Sequence, residues 1–210
     1  MKLPRLYPIL DTAFAASAGM VPERIAAEWI DAGVQILQFR HKGVFSRHVF
    51  AQMERVTGLC RQAHVPFVVN DRADLAVMLG AALHLGQEDL LPSVARRVTG
   101  PETMIGFSTH NEAQLRAALE EPANYLALGP IFGTASKENP DPIVGIAELR
   151  RLRPISDRPI VAIGGITRAN ARSVLEAGAD SVAVIADLLP GDGNLKARIL
   201  EWQRALSMDS

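Results

Sequence analysis

Short apolar runs of β type alternate with helical patterns from one end of the chain to the other. The runs Leu6 to Leu10, Val34 to Phe39, Phe67 to Asn70, Ala82 to Leu85, Met104 to Phe107, Tyr125 to Leu128, Ile160 to Ile163 and Ser181 to Ile185 have the length of strands. Between them, Glu23 to Asp31, Arg47 to Ala63, Glu112 to Glu120, Arg168 to Glu176 and Leu195 to Leu206 carry helical spacing, and another helical pattern begins near Ile146. The triplet "DAG" at 31–33 and the stretch "EAGAD" at 176–180 put Gly where a helix C-terminus needs a left-handed residue. The strand runs lack the alternation of a sheet with one wet face, which predicts a parallel sheet covered by helices. An open doubly wound sheet and a closed barrel both satisfy that description. The regular eightfold count, and the absence of G-x-G-x-x-G after the first strand, select an α/β fold of the (β/α)8 TIM-barrel type. It is read as a single domain over residues 1–210, with the order of the tail after about residue 206 left open.

In such a barrel the chemistry sits where the strands end, and here the strands run into polar residues. The second ends in "QFRHK". Because side chains alternate, Gln38, Arg40 and Lys42 share one face, while Leu37, Phe39 and His41 take the other. The third delivers Asn70 and Asp71, and the fourth brings Gln87, Glu88 and Asp89 just past its end. Carboxylates from neighbouring strands beside two cations suit a hard cation such as Mg2+, completed by water and phosphate oxygens, although each Asp taken singly also suits a loop cap. The fifth strand ends in "GFSTHNE", where Ser108 and His110 face the mouth, while Thr109 or Asn111 followed by Glu equally suits helix-capping chemistry. Gly164 and Gly165 after the seventh strand would let backbone amides approach an anion, in a place where this fold often binds phosphate. The layout predicts a metal–diphosphate site near strands 2 to 4 and a monophosphate site near strands 6 to 8. It suggests group transfer with diphosphate as the leaving group. The stretch "GPIFGTASKENPDPIVG" at 129–145 is long for a connection in a compact domain and is read as a functional lid.

Composition narrows the partners. Of 210 residues, 22 are Lys or Arg and 23 are Asp or Glu, so no global field draws the chain to nucleic acid or to an anionic membrane. Phosphate recognition must come from local clusters. The lone cysteine, Cys60, lies in an apolar-periodic stretch and is expected to be a packed core thiol; with no intrachain disulfide available, a reducing cytoplasm is the expected compartment. The N-terminal apolar run is interrupted at Pro8 and is too short for a signal peptide, and no run approaches a membrane span.

The motifs "LYPILD", "QFRHK", "NDRADLA", "HLGQEDL", "IGFSTH", "GPIFGTASK", "AIGGI" and "AGADSVAVI", in this order, resemble thiamine-phosphate synthases over essentially the whole chain. The resemblance implies a (β/α)8 barrel that joins a hydroxymethylpyrimidine diphosphate to a thiazole phosphate, with Mg2+, releasing diphosphate. It further implies that diphosphate leaves first and that the thiazole nitrogen captures a pyrimidinylmethyl cation. Carried over by position, Gln38, Arg40, Lys42, Asn70, Ser108 and Lys137 would bind the pyrimidine diphosphate, with Asp71 and Asp89 holding Mg2+. Thr134, Ser136, Gly165, Ile185 and Ala186 would bind the thiazole phosphate, and Phe39, His41, His110 and Ala135 would flank the two substrates. Arg40, Lys42, Ser108 and Lys137 are the expected catalytic set. Gly133, Ser136 and Ala186 depart from the family's usual proline, threonine and serine, and Ala186 leaves only backbone amides as donors there. A related thiazole tautomerase, whose catalytic histidine would match His110, and a non-catalytic phosphate-binding barrel are the alternatives; the first generally lacks the carboxylate pair and the cationic second strand. The oligomeric state is left open, a homo-oligomer included.

Overall fold

The structure is a computed structural model that describes residues 2–133 and 141–207. Its strands are β1 (Leu6–Asp11), β2 (Leu37–Arg40), β3 (Phe67–Asn70), β4 (Ala82–Leu85), β5 (Ile105–Thr109), β6 (Tyr125–Leu128), β7 (Ile160–Ile163) and β8 (Ser181–Val184). Each pairs in parallel with the next, and β8 returns to β1, so the sheet closes into a barrel. The helices are α1 (Thr12–Ser17), α2 (Pro22–Asp31), α3 (Arg47–Gln62), α4 (Ala73–Leu79), α5 (Pro92–Thr99), α6 (Glu112–Leu119), α7 (Gly145–Leu152), α8 (Ala171–Glu176) and α9 (Leu195–Leu206). None of the described helices is long and apolar enough to cross a membrane.

The missing polar–apolar alternation has a direct cause: both faces of every strand are buried. Leu37, Phe39, Val69, Leu83, Phe107, Leu128 and Val182 point outward into a layer shared with the helices, which also holds Trp29, Cys60 and Trp202. Tyr7, Ile9, Val68, Tyr125, Val161 and Ala183 point inward and fill the barrel below its mouth. The Cys60 thiol, fully buried, is pushed up to about 12 by desolvation, which keeps it protonated and inert.

Three boundaries differ from the sequence expectation. The run Val34 to Phe39 becomes a strand only from Leu37, because Val34 N–H bonds back to Trp29 O and completes the C-terminal turn of α2 through Gly33 at φ 90°. In the other direction β5 extends through Ser108 and Thr109, whose backbones pair with Ala127 and Leu128 of β6. The helix expected from Arg168 starts only at Ala171, since Asn170 Oδ1 accepts from Thr167 N (2.8 Å) and folds residues 167–170 into a turn. Three helices go beyond those read from the sequence, α1, α4 and α5; α1 is set by Asp11, whose Oδ1 accepts from Ala13 N (2.9 Å) and Phe14 N (3.2 Å).

Candidate active site

The pairing register fixes which side chains crown the barrel interior. Asp11 lies beside Arg40, Asn70 beside His84, and Ser108 beside Ala127, while Ile163 pairs with Ala183 and Ile185 follows β8. From β1 to β5 the crown is therefore polar, and from β6 to β8 it is apolar. A two-part substrate set with one highly charged and one mostly apolar member fits that division.

On the polar side, Asp11 is nearly fully buried and accepts a hydrogen bond from Arg40 Nη1 while capping α1, so one carboxylate fixes both a cation and a helix. Lys42 Nζ donates to Asp71 Oδ2 at 2.6 Å. Asp71 is held at φ 67°, a left-handed backbone that costs an ordinary residue on the order of 1–3 kcal/mol and tends to mark functional positions. Its N–H bonds to His84 O (2.8 Å), which pins the end of β3 to β4. Asp89 Oδ2 accepts from Gly86 N (2.7 Å) and sits within hydrogen-bonding reach of the Asp71 carboxyl. Burial pushes the Asp89 carboxyl up to about 6, and the neighbouring Asp71 pushes the same way, while the Gly86 amide opposes both. Two crowded carboxyls gain from a nearby cation, and Lys42 is one already bonded to Asp71.

Among the described residues no cluster of three or more His, Cys, Asp or Glu side chains is placed to hold a metal ion. The donor set at the mouth is thus two carboxylates, Asp71 and Asp89. That suits Mg2+, which keeps several waters and takes one or two carboxylates plus substrate phosphates, and does not suit an all-protein cage. Asn70 adds a donor: its side-chain nitrogen is buried and has no acceptor among the described residues. Gln87 Nε2 donates to Ser108 O at 2.5 Å and so locks the backbone beneath the Ser108 hydroxyl.

Two residues of the "QFRHK" segment turn away. Phe39, expected beside the substrates, is fully buried in the helix-facing layer, because the strand alternation that turns Gln38 and Arg40 inward turns Phe39 outward; its side chain is corrected to a core role. His41 bonds through Nδ1 to Thr12 Oγ1 (2.7 Å) and through Nε2 to Val44 O (3.2 Å), which ties the end of β2 to α1 and to its own loop. His110 is likewise engaged: Nδ1 donates to Gly129 O (2.6 Å), Nε2 faces Asp141 Oδ2 (3.5 Å), and its N–H meets Gln114 Oε1 (2.8 Å).

On the apolar side Gly164 and Gly165 have a steric reason to be glycine. A Cβ on Gly165, at φ 62°, would lie 2.3 Å from Gly133 O, and one on Gly164 would lie 2.5 Å from Pro130 Cβ. The segment after β6 therefore crosses directly over the end of β7, with Ile131 N bonded to Ile163 O (2.8 Å) and Phe132 N to Gly164 O (3.0 Å). Ile185 and the exposed Ala186 open a short 3-10 turn after β8. Arg198 Nη1 bonds to Asp187 O (2.7 Å) and Arg168 Nε to Asp187 Oδ2 (3.0 Å), so two cations stand beside that turn. Thr134, Ala135, Ser136 and Lys137 lie outside the described residues.

Reading strand ends alone missed Asp11, Tyr7, Tyr125 and His84. Asp11 had an available signal, a carboxylate closing the first apolar run. The other three sit inside strand runs, where they read as core.

A large groove, about 900 Å3, lies at the opposite end of the barrel around Ile36, Phe67, Ala82 and Met104. Size favours that end and chemistry favours the mouth; the mouth is preferred because the carboxylates, cations and unpaired donor converge there.

A family description of thiamine monophosphate synthase matches residues 6–188. The chain is 48% identical over 192 residues to a thiamine-phosphate synthase of Koribacter versatilis, covering 90% of each chain. It is 40% identical over 187 residues to one of Haloarcula marismortui, covering 87% of this chain and 89% of that one. Among solved structures, thiamine phosphate pyrophosphorylase from Pyrococcus furiosus superposes with a TM-score of 0.83 at 29% identity, over 96% of this chain and 94% of that one. With matches of this extent joined to a closed eight-stranded parallel barrel and a polar, two-carboxylate mouth, the chain belongs to the thiamine monophosphate synthase family.

Proposed function

We infer that the chain is a thiamine-phosphate synthase, transferring the pyrimidinylmethyl group of 4-amino-2-methyl-5-(diphosphooxymethyl)pyrimidine to the nitrogen of a thiazole phosphate and releasing diphosphate. The observation that carries this reading is the division of the barrel crown, with Asp11, Arg40, Asn70, Asp71 and Ser108 on one side and Ala127, Ile163 and Ile185 on the other. Arg40 and Lys42 would meet the diphosphate, and their charges gain most as the bond to carbon breaks and negative charge collects on the departing oxygens. Asn70 would spend its unpaired N–H on the same substrate. Asp71 and Asp89 would hold Mg2+, which when bound supplies charge neutralisation to the leaving group. Arg40 keeps its aim because Asp11 holds it, and Asp11 in turn is held by α1. The thiazole would lie over Ile163 and Ile185, its phosphate at the turn after β8, where Ala186 supplies a backbone amide and no hydroxyl. Lys137 would reach the diphosphate from the segment after β6. Such a set contains amides, hydroxyls and cations and needs no strong general base, which fits a reaction begun by departure of an anion. A cytoplasmic site of action accords with the thiol chemistry of Cys60.

The deciding experiment mixes the purified protein with both phosphorylated precursors and Mg2+ and follows thiamine phosphate and diphosphate. Equimolar formation of the two is expected. No product with any divalent metal would overturn the reading.

A further inference from the structure

Inside the barrel a chain of buried side chains climbs to the mouth. Gln38 Nε2 donates to the Tyr7 hydroxyl (3.2 Å), the Tyr7 and Tyr125 hydroxyls lie 2.7 Å apart, Tyr125 meets His84 Nδ1 at 3.0 Å, and His84 Nε2 meets Ser108 Oγ at 2.9 Å. The His84 ring stacks on Tyr125 at 5.7 Å and 22°. Room for the Tyr125 ring exists because its neighbour on β5 is Gly106, where a Cβ would come within 2.0 Å of that ring.

Counting protons gives this chain one direction. An amide nitrogen only donates, so the Tyr7 oxygen accepts from Gln38. The Tyr7 proton then needs an acceptor, and the acceptor bonded to it among the described residues is the Tyr125 oxygen. Tyr125 donates in turn to His84 Nδ1. An imidazole that accepts at Nδ1 carries its proton on Nε2 when neutral, and it donates from there to Ser108 Oγ. Ser108 accepts from below, which leaves its own O–H to donate to an acceptor in the mouth. The opposite direction would have Tyr7 accept from both Gln38 and Tyr125 and leave its own buried O–H without an acceptor among the described residues.

We propose that His84 is a positioning residue: the buried line from Gln38 through Tyr7 and Tyr125 fixes its Nε2–H tautomer and thereby presents Ser108 as a hydrogen-bond donor to the diphosphate-bearing substrate. Only the identity of the group that Ser108 meets rests on the synthase reading; the tautomer and the direction of the chain follow from the Gln38 amide nitrogen that faces Tyr7. A serine free to rotate would as readily accept as donate. Here the outcome is set from within the barrel before any substrate arrives, so no reorganisation is needed as the bond breaks.

The test has two arms. Protein labelled with ring-15N histidine is studied by long-range 1H–15N NMR without substrate at neutral pH, with His84 assigned by the signal lost in His84→Gln. A protonated Nε2 with an unprotonated Nδ1 is expected, and an Nδ1–H tautomer or an imidazolium would overturn the proposal. The second arm measures kcat and KM for Tyr125→Phe, Ser108→Ala and the double variant, each first checked for native circular dichroism. Tyr125→Phe should lower kcat roughly tenfold with little change in KM, and Ser108→Ala should cost much less in that background than in the parent, since residues acting as one unit are not additive. Fully additive losses would overturn it. Should the parent show no synthase activity, the functional reading falls and the NMR arm still decides the tautomer.

Discussion

Single side chains at this mouth do more than one job, and each job can be separated by measurement. Asp71 and Asp89 crowd each other beside Lys42. Replacing either with Asn should raise the Mg2+ concentration needed for half-maximal activity by roughly tenfold or more, because a hard cation depends on ligand charge. Thiazole-phosphate binding, followed by calorimetry, should stay nearly unchanged; equal loss of both would mean that the fold had been damaged instead. His110 sits differently, with its imidazole tied to Gly129 and Asp141 on either side of residues 134–140. His110→Ala should therefore keep coupling activity within roughly tenfold, whereas a proton-transfer role would cost about 10²-fold or more. Burial lowers His84 to about 4 from an ordinary value of 6.5. Above pH 6.5 the ring is neutral in folded and unfolded chains alike. As pH falls from 6.5 towards 4 the unfolded chain takes up a proton on this ring that the folded one refuses, so the contribution of His84 to stability is lost across that window and levels off below it, while the raised Asp89 carboxyl acts in the opposite sense. Urea titrations over this range should show His84→Gln gaining stability relative to the parent as pH falls from 6.5 to 4.

Elements decide whether those side chains meet. The segment after β6 crosses β7 so closely that Gly165 has backbone and side-chain atoms within 3.0 Å of where a Cβ would stand. Gly165→Ala should thus destabilise the protein by about 1–3 kcal/mol and raise KM for the thiazole phosphate, read by thermal melting and by initial rates. Lys137 lies in the same connection but outside the described residues. If it stabilises charge on departing diphosphate, Lys137→Ala should lower kcat by roughly 10²-fold with a smaller change in KM. The boundaries of elements were the least legible part of the sequence. Asp11 starts α1 with a side-chain cap at the end of an apolar strand, and Asn170 stops α8 from beginning at Arg168; in both, a short polar side chain bonding to nearby backbone amides overrides the apolar period.

At the scale of the whole barrel, chemistry and stability occupy opposite ends. The lower end, with its groove of about 900 Å3, carries Ile36 and Met104, and the upper end carries Arg40, Lys42, Asp71 and Asp89. Met104→Ala should reduce stability by about 1–2 kcal/mol, less than a fully buried Met costs, while kcat/KM stays within roughly twofold. A large drop in kcat/KM without loss of stability would show that the lower end communicates with the mouth.

Eight strand–helix units, their order and the polar residues that follow the strands all lie in local patterns: strand-length apolar runs, helical periodicity, and Gly at helix ends. Such patterns act within a few residues, which is why the sequence by itself determined the barrel and pointed to Arg40, Lys42, Asn70, Asp71, Asp89 and Ser108. Closure decided the rest. Whether Phe39 faces substrate or helices depends on which strand face turns inward, and that is settled only when all eight strands pair. Tyr7 and Tyr125 are 118 residues apart and exchange a hydrogen bond because β1 and β6 look across one narrow interior. Polar groups shut in that interior must find partners there. No local rule names those partners, so the line from Gln38 to Ser108 exists only in the folded chain.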